Sequence, residues 1–345
     1  MSSTDPRSIT FATFNLYNLQ LPGLPWRSEP YTQAQYDAKI AWSAALLRRI
    51  DADVIGFQEL WSEQCLRDLF DAAGLGDRYK LHFIKDPGTS WYDIAVAAAI
   101  RDPWEVREKR LHKTFGSGFK LKKRGGARDP EDNEIDVKIK KFSRTVIDLE
   151  VAHKDHPDIA AIRTFFAHLK SKLPTRLDEE ERADEVVRQN AAALGAALST
   201  IRRTAEAAAL RDVIGQALRD THTPLALVGD LNDGAHSNTL SILTEQPSYR
   251  LFEASGAGRR SDRGLYAASR LQAYRLNGDV GHTHVFKGER EILDHVLVSE
   301  QFYDHSRNRM WSFEEMRIWN DHVEDDDRAT TDHGVVSARF RWDPV

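Results

Sequence analysis

The sequence predicts an α/β fold, and three observations carry that prediction. Apolar, strand-like segments alternate with segments whose apolar residues recur at helical spacing. No internal repeat and no Pro/Ser-rich linker interrupts them, so residues 1–345 read as a single domain with a basic and a helical insertion. The composition, 41% hydrophobic and 29% charged over 345 residues, is that of a globular chain able to bury a substantial core.

The elements follow in order. Ile9–Asn15 alternates apolar and polar residues, which predicts a strand running into a turn. Tyr36–Ile50 has helical spacing, and Asp53–Phe57 is a short buried strand ending at Gln58-Glu59. Ser62–Ala73 is predicted as a helix, and strands follow near Tyr79–Ile84 and Ile94–Ile100. His112–Arg128 carries six Lys/Arg and no acid and is rich in glycine, which predicts an exposed loop or hairpin; the basic insertion spans about residues 112–141. Phe142–Val151 and Ile162–His168 are strand-like. Pro174-Thr175-Arg176-Leu177-Asp178 shows a Thr-x-x-Asp capping pattern, and Asp178–Glu185 puts acids where a helix dipole favours them. That pattern predicts a helical insertion over about residues 175–220, read as two helices. Pro224–Gly229, Glu291–Ser299 and Gly334–Phe340 are the remaining strands.

Composition narrows the function classes. No apolar run approaches the roughly 20 residues of a membrane span. The first residues, Met1-Ser2-Ser3-Thr4-Asp5-Pro6, lack a basic start and an apolar core, which argues against export. One cysteine, Cys65, excludes an internal disulfide and a zinc–thiolate cluster, and fits a cytoplasmic location. A net charge of −5 means that any polyanion binding is local.

Polar residues of one character stand at the ends of the apolar strands. Asn15 follows Phe11–Phe14, Glu59 follows Val54–Phe57, and His168 follows Phe165-Phe166-Ala167. Asp230 and Asn232 follow Leu225–Val228, Asp294 opens Val296–Val298, and Asp332-His333 precedes Val335. Strand ends are where α/β proteins bind ligands. Turns favour Asn and Asp anyway, so each position alone is equally a turn residue. Seven points sharing carboxylate, amide or imidazole chemistry mark a site.

Within that set, Val228-Gly229-Asp230-Leu231-Asn232-Asp233 and Thr331-Asp332-His333-Gly334 are the most specific motifs. Joined by Thr13-Phe14-Asn15-Leu16-Tyr17-Asn18, Phe57-Gln58-Glu59 and Ala167-His168-Leu169-Lys170-Ser171, they resemble, in order, the endonuclease/exonuclease/phosphatase family. The resemblance implies a four-layer α/β/β/α sandwich of two packed mixed sheets and a divalent-metal-dependent phosphoesterase using Mg²⁺ or Mn²⁺. Glu59 would be the principal metal ligand, with Asn15 beside the metal and Asp332 completing the acidic shell. Asp230 would orient or deprotonate the attacking water, and Asn232 would hold the scissile phosphate or the attacking group. His333, paired with Asp294, would stabilise charge on the phosphorus, and His168 would donate to a phosphate oxygen or the leaving group. Arg144 would bind phosphate, and Asp93 would partner the first histidine or be a turn residue. His295 stands where many relatives have tyrosine, and is read as a packed strand histidine.

Other clusters read as structural. His153-x-x-His156 and His282-x-His284 have metal-like spacing but read as turn, surface or strand histidines, and Asp325-Asp326-Asp327 as a solvated loop. The substrate reading favours a nuclease acting on DNA or RNA. Lys113, Lys120, Lys122, Lys123, Arg124 and Arg128, reinforced by Lys138, Lys140 and Lys141, supply phosphate contacts, or else a solvated loop. Trp91 and Tyr92 would stack on bases, or else pack in the core. A phosphatase acting on a small or lipid phosphomonoester is the alternative. A binding module without catalysis sits poorly with intact Glu59, Asp230, Asn232, Asp294 and His333.

Overall fold

A computed structural model describes residues 7–26, 28–84, 94–125, 134–245, 264–276 and 280–345. Its strands are β1 (Ser8–Leu19), β2 (Val54–Leu60), β3 (Tyr79–Phe83), β4 (Ala95–Arg101), β5 (Trp104–Thr114), β6 (Leu121–Lys123), β7 (Ile135–Val137) and β8 (Lys141–His153). They continue as β9 (Ile162–His168), β10 (Leu225–Asp230), β11 (Tyr266–Ala267), β12 (His284–Phe286), β13 (Glu289–Glu291), β14 (Asp294–Val298), β15 (Trp311–Trp319) and β16 (Val335–Trp342). The α-helices are α1 (Gln33–Ile50), α2 (Glu63–Ala73), α3 (Glu185–Leu218), α4 (Asn238–Thr244) and α5 (Ala268–Leu276).

Two six-stranded sheets form the centre, ordered β15-β16-β1-β2-β4-β3 and β11-β14-β10-β9-β8-β5. Both are mixed: β1 and β2 run parallel, as do β9 and β10, while the other neighbours are antiparallel. Each strand's alternation sends one side chain to the seam between the sheets and the next to a helical layer. From β1, Ile9 and Phe11 meet Phe166, Val228 and Val296 of the second sheet in the seam. Ala12 and Phe14 point the other way, under α1 and α2, with Leu47, Leu66 and Phe70. On the far side, Phe165 and Leu227 pack beneath Leu210, Ile214 and Leu240 of α3 and α4. The architecture is the expected four-layer α/β/β/α sandwich.

Helix starts have local causes. Thr32 and Gln35 form a reciprocal capping box before α1, Ser62 caps α2, and Gly74 closes α2 in the left-handed conformation. The Thr175 start does not hold. The reciprocal side-chain bonds fall on Asp178 and Glu181, which head a 3-10 turn, and Asp184 caps the helix proper. The acids of Asp178–Glu181 therefore lie ahead of the helix. From Glu185 it runs unbroken for 34 residues, as one helix and not two.

The two long strands that the sequence does not predict, β5 and β15, are both sheet edges. β5 and β15 carry WEVREKRLHKT and WSFEEMRIW, where charges blur the apolar pattern and bulges shift the register. Charged, irregular edges guard a sheet against further pairing. The basic insertion is a hairpin, β6 against β7, and Lys122 pairs with Asp136 of β7 and with Glu134 just before it.

Gly229 illustrates how closely β9 and β10 approach. A Cβ there would stand 1.9 Å from the Ala167 carbonyl oxygen, at a φ of +155°. Gly229→Ala should therefore cost about 4 kcal/mol or more in denaturant unfolding. Gly215, in α3 with open space around it, serves as the control: Gly215→Ala should stabilise by roughly 0.5–1 kcal/mol.

Candidate active site

The period of two that builds the core also builds the site. Asn15 continues the seam-facing parity of Ile9 and Phe11, His168 that of Ile162 and Phe166, Asp230 that of Ala226 and Val228, and Asp294 that of Val296 and Val298. Past the last apolar residue of each strand, the seam thus turns polar at one end. Glu59 has the opposite parity and reaches the site by another device. Its φ of +60° and the register break between Phe57 and Leu60 turn it inward, where its carboxylate accepts from the Asn18 backbone N–H at 3.0 Å. Asn232, at φ +55°, is also left-handed; such backbone gathers at functional sites.

Asp230 is the hub. Its Oδ1 accepts from the Asn232 backbone N–H at 2.8 Å, and its Oδ2 accepts from the side-chain amides of Asn15 and Asn232, each at 3.1 Å. His168 Nε2 lies 3.4 Å from the same Oδ2. Burial pushes Asp230 up to about 7, against the pull of His333. Asn232 also donates to the Leu169 carbonyl at 3.1 Å, so its amide is committed to orienting Asp230. Asn15 Oδ1 accepts from the Tyr17 N–H at 3.0 Å.

His333 Nδ1 lies 2.8 Å from Asp294 Oδ2, and both residues are buried. Burial alone would lower the imidazole; Asp294 and Asp230 overcome it and raise His333 well above its ordinary value. Glu59 is raised by burial and by neighbouring Asp332, while His333 and Arg144 draw it down. Arg144 starts on the helical face of β8 and reaches the Leu169 carbonyl at 3.1 Å.

The donor set fits a hard divalent cation. Glu59 and Asp332 crowd each other electrostatically, and Asp332 Oδ1 is buried without a hydrogen-bond partner among the described residues. Carboxylate oxygens with an adjacent amide suit Mg²⁺ or Mn²⁺. Two triplets place their ligand atoms within 4.8 Å of one another: Asp230, Asp294 and His333, and His284, Asp332 and His333. Sequence reading set His284 aside with His282; the structure puts its ring 5.0 Å from that of His333. The signal was hidden because β12 is a three-residue strand in a polar hairpin.

Two of the buried charges that the sequence does not reveal, Lys39 and Glu206, support the site. Lys39 of α1 is 1% exposed. Its Nζ donates to the Thr330 and Arg328 carbonyls at 2.6 and 3.3 Å, and stands over the rings of Tyr17 and Tyr31. Burial lowers it to about 7. It braces the turn that carries Asp332 and His333. Glu206 of α3 accepts from Ser143 and from the Lys170 N–H, tying the helical layer to the site ends of β8 and β9. Both lie mid-helix, where a charged residue ordinarily reads as surface.

The remaining expectations fall as follows. His295 points away from the seam and bonds the Asp233 carbonyl at 3.0 Å, as a packed strand histidine does. His153 ends β8, buried against Trp104 rather than on a turn. Asp325, Asp326 and Asp327 are exposed. Lys120, Lys122, Lys123 and Arg124 are surface residues of the hairpin segment, which leaves the second sheet where Thr114 pairs Lys141, three residues before Arg144. Asp93, Trp91, Tyr92 and Arg128 lie outside the described residues.

Residues 12–333 match the model of the Endonuclease/Exonuclease/phosphatase family. The chain belongs to that family. Similar solved structures include a family member from Bacteroides vulgatus, at 14% identity and TM-score 0.57, covering 97% of this chain and 99% of that one. A mannosyl-6-phosphatase from Bacteroides thetaiotaomicron has 14% identity and TM-score 0.54 over 97% and 100%. The human Nocturnin catalytic domain with bound sulfate has 13% identity and TM-score 0.54 over 99% and 96%. No curated protein matches the chain significantly. No described helix is long and apolar enough to cross a membrane.

The His333–Asp294 pair has a testable pH signature in the metal-free protein. A folded-state value above the unfolded one, about 6.5, gives stability that is complete below that value and fades as pH rises through the folded one. Asp294→Asn should therefore destabilise more at mildly acid than at alkaline pH. NMR of the imidazole should show its titration moved downward. An unmoved titration would contradict the pairing.

Proposed function

We propose that the protein is a divalent-metal-dependent phosphodiesterase that cleaves nucleic acid. Family membership and the site support a phosphoesterase; the carrying observation is the buried cluster of Asp230, His168, Asp294 and His333 beside the half-buried carboxylates of Glu59 and Asp332. Glu59 and Asp332 would hold the ion, Asn15 beside them. Once bound, the cation would offset charge on the phosphate oxygens. Asp230, fixed by three donors, orients the attacking water and takes its proton. Protonated His333 meets the charge that grows on the phosphoryl oxygens, in a seam where a preset donor acts strongly. His168 donates toward a phosphate oxygen or the leaving oxygen, and Arg144 draws the phosphate to the site.

The polynucleotide reading rests on the basic hairpin, which departs from the sheet edge next to Arg144. A phosphatase acting on a small phosphorylated molecule is the second reading, favoured by Lys122 being paired within the hairpin. The single cysteine, buried Cys65, supports a cytoplasmic location.

Glu59→Ala should abolish both turnover of bis-p-nitrophenyl phosphate and Mg²⁺ binding by calorimetry, with unchanged circular dichroism. Retained metal affinity would remove Glu59 from the ligand set. Asp230→Ala and His333→Ala should each lower kcat by roughly three orders of magnitude or more with little change in KM, because both act in the transition state.

Neutralising Lys120, Lys122, Lys123 and Arg124 together should weaken DNA or RNA cleavage and flatten its salt dependence. Each cation that neutralises a phosphate carries a slope of roughly 0.7–0.9. The sum should fall short of four such steps, since Lys122 already pairs with acids. Equal rates for variant and wild type at low and high salt would shift the assignment to the phosphatase reading.

A further inference from the structure

A cavity of about 600 Å³ opens on the β14 side of the catalytic cluster, large enough for a nucleotide-sized group. One wall is the turn Asp233–Ser237, which begins directly after Asn232. The opposite wall, Gly281 to Ile292, is anchored beside Asp294, because the Thr283 hydroxyl accepts from the Leu293 and Asp294 N–H groups at 2.8 and 3.3 Å. The α5 helix closes the third side through Ser269, Arg270 and Ala273. Both walls thus spring from the catalytic strand ends.

The lining shows what the cavity takes. Its two acids are already neutralised: Lys172 Nζ sits 2.6 Å from Glu291 and 3.6 Å from Asp233, and Arg203 lies 3.1 Å from Asp233. Arg270 has no carboxylate partner among the described residues and instead approaches His236 Nε2 at 3.4 Å. Ser269 is 5% exposed, and its buried hydroxyl has no hydrogen-bond partner in the described structure. Leaving a buried donor unpaired is costly, so an unpaired one marks a missing acceptor. Among the described lining residues there is no phenyl, phenol or indole ring. A surplus of cationic and hydroxyl donors around neutralised acids selects a compact polyanion.

We propose that this cavity is a subsite for a second phosphate group on the same substrate molecule, with Arg270 as its principal cation and Ser269 as a donor. The inference rests on the phosphoesterase reading above and names what that substrate carries. Arginine suits the role because its planar fork matches phosphate oxygens. The second phosphate has two sources: the next phosphodiester of a polynucleotide, or a second ester on a small metabolite.

Two measurements test it. The first compares the p-nitrophenyl ester of thymidine 3′-phosphate with and without a 5′-phosphate, and fructose 1,6-bisphosphate with fructose 6-phosphate. Wild type should show a lower KM for the doubly phosphorylated member of one pair, and that pair identifies the source. Arg270→Ala should erase the KM ratio by about tenfold or more without changing the kcat ratio, and Arg270→Lys should restore part of it. A wild type indifferent to the second phosphate, or a ratio unchanged in Arg270→Ala, overturns the subsite. The second measurement needs no turnover: thymidine 3′,5′-bisphosphate, titrated calorimetrically, should bind wild type about tenfold more tightly than Arg270→Ala or Ser269→Ala. Equal affinities overturn the subsite even if no substrate is hydrolysed, whereas lost turnover with retained differential binding indicts only the hydrolase reading.

Discussion

The site depends on burying charge in the seam between two sheets without leaving it uncompensated. Asp230 and Asp294 are at most 1% exposed, where an isolated carboxylate would be strongly disfavoured and would take up a proton. Three donors around Asp230 and the imidazole of His333 beside Asp294 make the arrangement tenable. One buried cation set against Asp294 and Asp230 still leaves Glu59 raised by its burial and by the neighbouring carboxylate of Asp332. That residual negative charge is what a divalent ion would neutralise. Metal binding at this site would therefore be linked to folding through carboxylates that the fold buries.

The helical layers serve this seam from behind. Lys39 and Glu206 are buried charges on α1 and α3, on opposite outer faces of the sandwich. Each reaches inward at the site end of the sheets, Lys39 to the carbonyls before Asp332 and Glu206 to the amides of Ser143 and Lys170. Loops holding the candidate catalytic groups are thus tied to rigid elements on both sides, the support that fixed transition-state geometry would need.

What the sequence disclosed follows from where the information lies. Apolar runs such as Val54–Phe57 and Leu225–Val228 are central strands, and a polar residue just beyond them stands out because burial elsewhere is uniform. Edge strands β5 and β15 lacked that contrast, since one side of an edge meets solvent and tolerates charge. Glu59 was legible as a strand-end acid, but not the left-handed turn that redirects it. His284, Lys39 and Glu206 were illegible for a common reason: their roles come from tertiary neighbours 49, 291 and 63 residues away, in His333, Thr330 and Ser143. The capping error at Thr175 was of another kind, because Asp178 and Glu181 form an equally good local pattern three residues on.

The order of the second sheet also separates the two proposed phosphate-binding features. Its order places β8 and β5, with the basic hairpin between them, on one flank of β9 and β10. β14 and the cavity beside α5 lie on the other flank. His168 and Asp230, which end the two middle strands, stand between these flanks as directly paired neighbours. A small phosphomonoester fills the centre and at most one flank. A molecule that uses Arg144 and the hairpin on one side and Arg270 on the other must extend past its scissile phosphate in both directions, carrying negative charge each way. A polynucleotide has that shape, so the proposed hairpin contacts and the proposed subsite, argued from separate residues, are compatible with one extended substrate.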